Sequence, residues 1–291
     1  MALESPFNAT PHLAVTEKPP GVSLVLPAYN EQEVIQQAIA EADEALDGLV
    51  DDYEILVVDD GSSDQTRCIA EAEAQRRPHV RVLSHETNRG YGAALRTGFQ
   101  AATRPWIGFT DSDCQFNLKE LERLLLLLRD SDIACGYRID RQDSWLRILY
   151  SRTYNVLVGL MLGTGVRDCD CALKLFRRET LQTVMHEANG FLVNAEMLTK
   201  ARLQKKKVIE VGVSHRPRPR GESTVSVLHT VPVIQSLLRF WWRTILFPGS
   251  RSSEKEPTGT KSGWSWGRVT LSAALLREGA TVASPALLVL A

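Results

Sequence analysis

The sequence lacks several features by which common classes of protein are identified. It has no uninterrupted apolar stretch of about 18 residues, so we expect no membrane-spanning helix. Residues 1–20 show no positive start followed by an apolar core, so we expect no secretory signal. The formal net charge is only −1, which provides no overall basic field, and nucleic acid is therefore not an expected partner.

Patterns that mark other enzymes are also missing. The five cysteines include no CxxC pair, and an odd number of thiols favours a reducing, cytoplasmic compartment. No GxxxxGK[ST] loop is present, and Gly90-Tyr91-Gly92 lacks the GxGxxG spacing of a dinucleotide-binding turn. No Ser/His/Asp order stands out among the six scattered histidines, and we expect His85 and His186 to be structural or solvated.

Short β-runs alternate with amphipathic helical segments through the first half of the chain. We predict strands at 22–26, 53–58, 80–84, 106–110 and 133–136, with helices between them. This alternation favours right-handed βαβ units, so the predicted fold class is α/β, with an open, mostly parallel central sheet flanked by helices. Asn30 with Glu33, and Ser62 with Gln65, have the spacing of capping boxes and are expected to begin the first two helices.

Acidic residues follow three of the predicted strands. These strand ends carry Glu31, Asp59-Asp60 and Asp111-Ser112-Asp113. Because ligands bind at the carboxyl ends of strands in open α/β sheets, these side chains predict one binding crevice. Asp111 and Asp113 disfavour each other's ionisation, a penalty that a divalent cation removes, so they predict a site for Mg²⁺ or Mn²⁺ and a diphosphate. A solvated Asp-Ser-Asp turn is the alternative.

Two later segments depart from the strand and helix alternation. Residues 145–162 are apolar almost all round, and residues 227–247 have a polar stripe that includes Arg239 and Arg243. The apolar side of the second segment consists of Ile234, Leu237, Leu238, Trp241 and Ile245. Tryptophan at the margin of an apolar face with arginine beside it is typical of a helix in a membrane interface. Packing against the core or a second subunit is the alternative.

Several motifs resemble those of family 2 glycosyltransferases, which have the Rossmann-like GT-A fold. They are Leu-Pro-Ala-Tyr-Asn-Glu at 26–31, Val-Val-Asp-Asp-Gly-Ser-Ser-Asp at 57–64, Asn-Arg-Gly-Tyr-Gly-Ala-Ala at 88–94 and the Asp111 motif. Four more are similar to dolichyl- or polyprenyl-phosphate sugar transferases such as dolichyl-phosphate mannosyltransferase. They are Asp113-Cys114-Gln115, Gly136-Tyr137-Arg138, Lys174-Leu175-Phe176 and Arg-Pro-Arg-Gly-Glu-Ser at 218–223. The resemblance covers residues 21–226.

This resemblance implies a metal-dependent, inverting hexosyltransferase. The implied donor is a nucleotide-diphosphate sugar of the GDP-mannose or UDP-glucose type, the acceptor a polyprenyl or dolichyl phosphate, and the cofactor Mg²⁺ or Mn²⁺. The implied location is peripheral, on the cytoplasmic face of the membrane, with a membrane-protein partner or a second copy of the chain as further partners. One alternative is a family 2 enzyme with a soluble or polysaccharide acceptor, for which Asp168 or Asp170 would be the base. A non-catalytic nucleotide-sugar binding module is the other.

The resemblance also implies roles for individual residues. The donor-binding positions are Pro27, Tyr29, Glu31, Val58, Asp60, Asp111 and Ser112. The metal positions are Asp111, Asp113 and Gln115. The catalytic positions are Asp113, Arg138 and Arg218, and the acceptor-side positions are Arg147, Arg152, Asp168 and Arg220. Thr224 stands where the family often has lysine, so either Arg220 replaces that charge or the acceptor contact differs.

These patterns predict four parts of the chain. A flexible N-terminal segment spans 1–20, and the GT-A glycosyltransferase domain spans 21–226. An amphipathic membrane-interface helix is expected at 227–250, followed by a disordered tail at 251–291 whose composition is rich in serine, lysine, glutamate and glycine at its start.

Overall fold

A computed structural model describes residues 19–139, 145–190, 192–218 and 230–246 of the chain. The predicted tail at 251–291 lies outside the described residues, as does almost all of the predicted N-terminal segment. The side chain of Arg147 and all of Arg220 and Thr224 also lie outside them, so the structure does not address the roles expected of these residues.

The described residues contain seven strands and eight α-helices. In chain order they are β1 (Val22–Ala28), α1 (Ile35–Leu49), β2 (Tyr53–Asp59), α2 (Thr66–Arg76), β3 (Val80–Ser84), α3 (Tyr91–Ala101), β4 (Trp106–Phe109), α4 (Leu121–Leu128), β5 (Ile133–Ile139), α5 (Trp145–Leu162), β6 (Lys174–Arg177), α6 (Arg178–Val184), α7 (Val193–Leu203), β7 (Val208–Ser214) and α8 (Thr230–Trp241). A 3₁₀ turn at Leu118–Glu120 precedes α4, and a π-helical turn at Trp242–Leu246 follows α8.

All seven strands form one sheet in the order β3-β2-β1-β4-β6-β5-β7. Every pairing is parallel except the two made by β6, which runs antiparallel to both β4 and β5. Strands β1, β2 and β4 are buried along their whole length, as expected for parallel strands covered by helices on both faces. The predicted α/β class with a mostly parallel sheet is confirmed. The chain reverses its order along the sheet between β1 and β4, the position where such folds bind ligands.

The structure extends β1 beyond its predicted end at Leu26. The strand continues to Ala28 because Pro27 pairs only with Val58 of β2. On its other side β4 pairs with residues up to Val25 and no further. The missing N–H of proline therefore breaks no hydrogen bond of the sheet.

The predicted capping boxes are wrong. Helix α1 begins at Ile35, five residues after Asn30, and α2 has no side-chain cap. The Asn30 Oδ1 instead accepts a hydrogen bond from the Ser63 backbone N–H at 2.9 Å, and Asn30 adopts a left-handed φ of 54°. Thr66 Oγ1 accepts from the Glu31 N–H at 2.7 Å. Contacts between the loops after β1 and β2 override local capping and hold the two strand ends together.

Helix α8 packs against α5, and part of the apolar side that the sequence assigned to a membrane, without Leu238, faces the core. Leu237 is completely buried, and Trp241 and Ile245 contact the core. A second apolar stripe, offset by one residue, is exposed instead: Leu238 is 48%, Trp242 55% and Leu246 44% exposed. Among the described helices, none has the length and hydropathy needed to cross a bilayer.

Candidate active site

The three acidic strand ends meet at the switch point of the sheet, as the sequence predicts. Ala28 pairs with Asp59 in register, which places the loops after β1 and β2 side by side. The buried Ser112 hydroxyl donates to the Pro27 carbonyl at 2.7 Å and fixes the turn after β4 against β1. Glu31, Asp60, Asp111 and Asp113 therefore lie near one another at the edge of the sheet where the sequence predicts the crevice.

Asp111 and Asp113 repel each other at this point. Burial and the charge of Asp113 raise the pKa of Asp111 to about 7, although a hydrogen bond from Tyr91 and the charges of Arg138 and Lys174 oppose the rise. The Tyr91 hydroxyl donates to Asp111 Oδ1 at 2.9 Å. A bound proton or a bound cation would remove the repulsion between these two carboxylates.

The oxygen atoms of this turn fit a hard divalent cation. The available donors are the carboxylates of Asp111 and Asp113 and the amide oxygen of Gln115, whose Nε2 donates to the Arg216 carbonyl at 3.2 Å. In the described part of the chain, no three His, Cys, Asp or Glu side chains are placed to hold a metal by themselves. The donor set is therefore small, which suits an ion such as Mg²⁺ that retains water or substrate phosphate ligands.

Cys114 gives the turn its shape. It has a left-handed φ of 57°, uncommon for a residue with a side chain, and its buried Sγ lies 3.8 Å from the Val34 carbonyl oxygen. Asp113 Oδ1 accepts from the Gln115 backbone N–H at 3.2 Å across this residue. The conformation of Cys114 thus sets how Asp113 and Gln115 are presented to the crevice, a feature that no sequence pattern indicated.

The segment after β7 is joined to this turn. Arg216 N–H donates to the Gln115 carbonyl at 2.8 Å, and His215 forms a β-bridge with Phe116 and contacts its ring edge to face. Arg218 then forms an ion pair with Glu31. Burial raises the pKa of Glu31 even though Arg218 lowers it. Two residues predicted to bind donor phosphates and nucleotide are therefore brought into contact with each other.

Asp60 organises the loop before α3. Its carboxylate accepts the backbone N–H groups of Arg89 and Gly90 at 3.0 and 2.8 Å, and it lies 2.6 Å from His85 Nδ1. His85 Nε2 lies 2.9 Å from the Thr97 hydroxyl. Gly90 has a φ of 96°, which a side chain would strain. Asp60 is buried and held by these groups, so the structure shows it shaping the rim of the crevice.

Arg138 and Asp168 form a two-bonded ion pair at the end of β5. The guanidinium Nε and Nη2 lie 2.6 and 2.8 Å from the two carboxylate oxygens. Burial alone would raise the pKa of Asp168, but the hydrogen bonds and charge of Arg138 outweigh it and lower the pKa to about 2. Asp168 is therefore an ionised anchor for Arg138 at neutral pH and is unsuited to act as a base.

The remaining predicted residues differ in their access to the crevice. Tyr29 is 36% exposed at the end of β1, whereas Pro27 and Val58 are buried partners within the sheet. Arg152 is exposed on α5. No role was predicted for Lys174, which the structure buries beside the Arg138 and Asp168 pair. The sequence showed it only as part of the motif Lys174-Leu175-Phe176 and as a lysine inside the apolar run 172–176.

Comparisons with known proteins agree with this arrangement. The model of the family described as "Glycosyl transferase family 2" matches residues 23–185. Over 222 residues, the chain is 33% identical to the undecaprenyl-phosphate 4-deoxy-4-formamido-L-arabinose transferases of Sodalis glossinidius (strain morsitans) and Enterobacter sp. (strain 638). These alignments cover 75% of this chain and 66% of each relative, so the chain spans just under two thirds of their length.

Solved structures share the fold. Glucosyl-3-phosphoglycerate synthase from Mycobacterium tuberculosis in complex with Mn²⁺ and UDP-glucose is 26% identical, with a TM-score of 0.60 over 76% of this chain and 78% of that chain. The same enzyme with Mn²⁺, UDP and glucosyl-3-phosphoglycerate is 24% identical, with a TM-score of 0.59 over 77% and 79% of the two chains. The predicted GT-A type of architecture is confirmed.

Proposed function

The chain belongs to glycosyl transferase family 2, and we propose that it transfers a sugar from a nucleotide-diphosphate donor to a polyprenyl phosphate. One observation carries the proposal: acids that suit a cation and a diphosphate meet basic side chains at a single crevice. Asp111 and Asp113 supply the first, and Arg138 and Arg218 supply the second. The curated relatives are named for transfer to undecaprenyl phosphate, which supports the lipid acceptor.

Asp111, Asp113 and Gln115 would hold a divalent cation. When bound, that cation supplies positive charge against the diphosphate leaving group. Burial and the charge of Asp113 raise the pKa of Asp111, and a bound cation would oppose that rise. The fold neighbour that is 26% identical was crystallised with Mn²⁺ and UDP-glucose, which supports Mn²⁺ or Mg²⁺ here.

The chain's own residues suit a phosphate nucleophile. An ionised phosphate oxygen can attack the anomeric carbon without a base, opposite the leaving diphosphate, and so inverts its configuration. Asp168 forms an ion pair with Arg138 and has a pKa of about 2, so it does not supply the base that a hydroxyl acceptor requires. Asp170 is then the remaining candidate base for the alternative with a soluble acceptor.

Arg138 and Arg218 would orient phosphate groups. A guanidinium group stays charged and presents several N–H donors in one plane, which matches phosphate oxygens. Asp168 fixes two of the three guanidinium nitrogens of Arg138 and so directs the rest of the group. Glu31 holds Arg218 at the crevice, where a donor phosphate would compete with the carboxylate for it.

We place the acceptor side of the protein at the cytoplasmic face of a membrane. The exposed stripe of α8 and its π-helical turn is apolar and has Arg239 and Arg243 beside it, both exposed. Helix α5, which packs against α8, exposes Leu149, Val156 and Leu160. Apolar side chains flanked by arginine and tryptophan favour an interface with anionic lipid.

A transfer assay tests the function directly. The full chain is incubated with radiolabelled UDP- and GDP-sugars, undecaprenyl phosphate and Mn²⁺ or Mg²⁺, and the products are extracted into organic solvent. We expect label in the lipid fraction with one nucleotide sugar, and its loss with EDTA. Label in a soluble product would favour the alternative acceptor. Donor binding without any transfer would instead support a binding module.

A further inference from the structure

Lys174 on β6 is completely buried, which is unusual for a lysine. Its Nζ donates to the carbonyl oxygen of Cys169 at 2.9 Å and also to that of Cys171. It lies 5.7 Å from the centroid of the Phe109 ring. Removing an ammonium group from water is unfavourable unless polar partners replace the water, so these contacts are what keep Lys174 inside the protein.

The two carbonyl groups flank Asp170 in the loop at residues 168–172, called here the acceptor-side loop. Two other elements hold the same loop. Arg138 of β5 bonds to Asp168, and the Asn155 side chain of α5 accepts the Cys169 N–H at 2.8 Å. Lys174 therefore supplies the third anchor, and it fixes the backbone on both sides of Asp170.

Strand register places the acceptor-side loop next to the acidic turn. Lys174 of β6 pairs with Phe109 of β4, two residues before Asp111. On its other side β6 pairs with β5, the strand that carries Arg138. Lys174 thus lies between the strand that leads into the acidic turn and the strand that holds Arg138.

We infer that Lys174 is a positioning residue for sugar transfer: by binding the carbonyls of Cys169 and Cys171, it fixes the acceptor-side loop, with Asp170 and the Asp168 anchor of Arg138, against the donor site. The inference rests on the proposed function, because the groups it positions face the acceptor. A role limited to stability would leave transfer normal in any variant that folds.

Replacement of Lys174 by residues of similar length tests the inference. Lys174→Met removes the charge and the donors, Lys174→Gln keeps a donor without the charge, and Lys174→Arg keeps both. We expect Lys174→Met to retain donor binding with Mn²⁺ within about twofold but to lose about 30-fold in kcat, with substantial recovery in Lys174→Arg. Lys119→Met, at an exposed lysine, is the matched control and should behave as wild type.

Two outcomes of the Lys174→Met experiment overturn the inference. One is a folded Lys174→Met protein with wild-type kcat, and the other is an equal loss of donor binding and transfer that Lys174→Arg does not recover. If Lys174→Met does not fold, Lys174→Gln and Asn155→Ala replace it, since Asn155→Ala releases the same loop from α5 without leaving a buried charge. We then expect a loss of kcat of about tenfold with donor binding intact, and a normal kcat in both variants counts against the inference.

Hydrogen exchange separates this inference from the proposed function. Failure of the proposed function appears as a wild-type chain that transfers no sugar to polyprenyl phosphate. In that event, amide exchange of residues 169–173 is compared between wild type and Lys174→Gln. Faster exchange confined to these residues supports the positioning of the loop by Lys174, and unchanged exchange overturns it.

Discussion

The two sides of the sheet contribute opposite charges to the crevice. Strands β1, β2 and β4 end in acids, of which Asp111 and Asp113 repel each other and leave the pKa of Asp111 at about 7. Strands β6 and β5 contribute Lys174 and Arg138, and each of these cations is already bonded to carbonyl or carboxylate oxygens. The pKa of Asp111 therefore favours a bound proton or cation on the acidic side, whereas both cations of the basic side already have oxygen partners in the protein.

Removal of an acid should produce the largest effect, because Asp113 is one of the proposed ligands of the cation. We expect Asp113→Ala to lower kcat by about 1,000-fold, since the group that holds positive charge against the leaving diphosphate is lost. Transfer of labelled sugar measures the effect, and thermal unfolding confirms the fold. Asp130→Ala, at an exposed acid after α4, is the control. Near-normal turnover of Asp113→Ala would remove the cation from the mechanism.

The basic side should respond differently, because its charges are paired. Arg138→Met leaves Asp168 buried without its cation, so we expect a loss of about 3 kcal/mol in the free energy of unfolding and about 100-fold in kcat. The double variant Arg138→Met with Asp168→Asn should recover stability but not transfer. Chemical denaturation and kinetics of the three proteins measure both effects. Recovery of transfer in the double variant would show that Arg138 acts only on stability.

The sequence predicted the acidic side better than the basic side, for a physical reason. Apolar runs of strand length predicted β1 to β5, and the acids that follow them are adjacent in sequence, so Asp111 and Asp113 were found together. The ion pairs of the basic side join residues that are distant in the chain: Arg138 and Asp168 are 30 positions apart, and Arg218 and Glu31 are 187 apart. Such pairs depend on topology that local patterns do not contain.

Strand β6 is a second feature that local sequence patterns did not predict. It has four residues and begins with Lys174, whose charge argues against a buried strand, so neither the strand nor its antiparallel direction was predicted. Strand β7 was also missed. The capping boxes failed because tertiary hydrogen bonds used the polar side chains elsewhere, as Asn30 shows. Family resemblance supplied Arg138 and Arg218, but it gave no indication that each has a carboxylate partner.

Acid titration sharpens the contrast between Asp168, whose pKa is lowered by Arg138, and Asp111, whose pKa is raised. The pKa of Asp168 is about 2 in the folded protein against 3.8 for an ordinary aspartate. Because the folded-state pKa is lowered, its contribution of about 2 kcal/mol is present above pH 4 and is lost as the pH falls towards 2. Denaturation between pH 5 and 2 should show this loss in wild type and in Asp130→Asn, but not in Asp168→Asn. An identical acid dependence in all three proteins would contradict it.

The smallest expected effect lies outside the crevice, at the exposed apolar stripe of α8 and its π-helical turn, which is the proposed membrane contact. Replacement of Leu238, Trp242 and Leu246 by serine removes exposed apolar area without touching the buried Leu237, so the fold should be kept. We expect binding to vesicles of phosphatidylglycerol and phosphatidylcholine to weaken by about tenfold or more, because each side chain loses apolar contact with the acyl region. Flotation with the vesicles measures this, and Leu203→Ser, at an equally exposed leucine on α7, is the control.

If the triple variant floats as well as wild type, the exposed stripe is not the membrane contact. If transfer to a short, water-soluble polyprenyl phosphate is unchanged while transfer to the lipid in vesicles falls, the surface delivers the protein to its acceptor and takes no part in the chemistry.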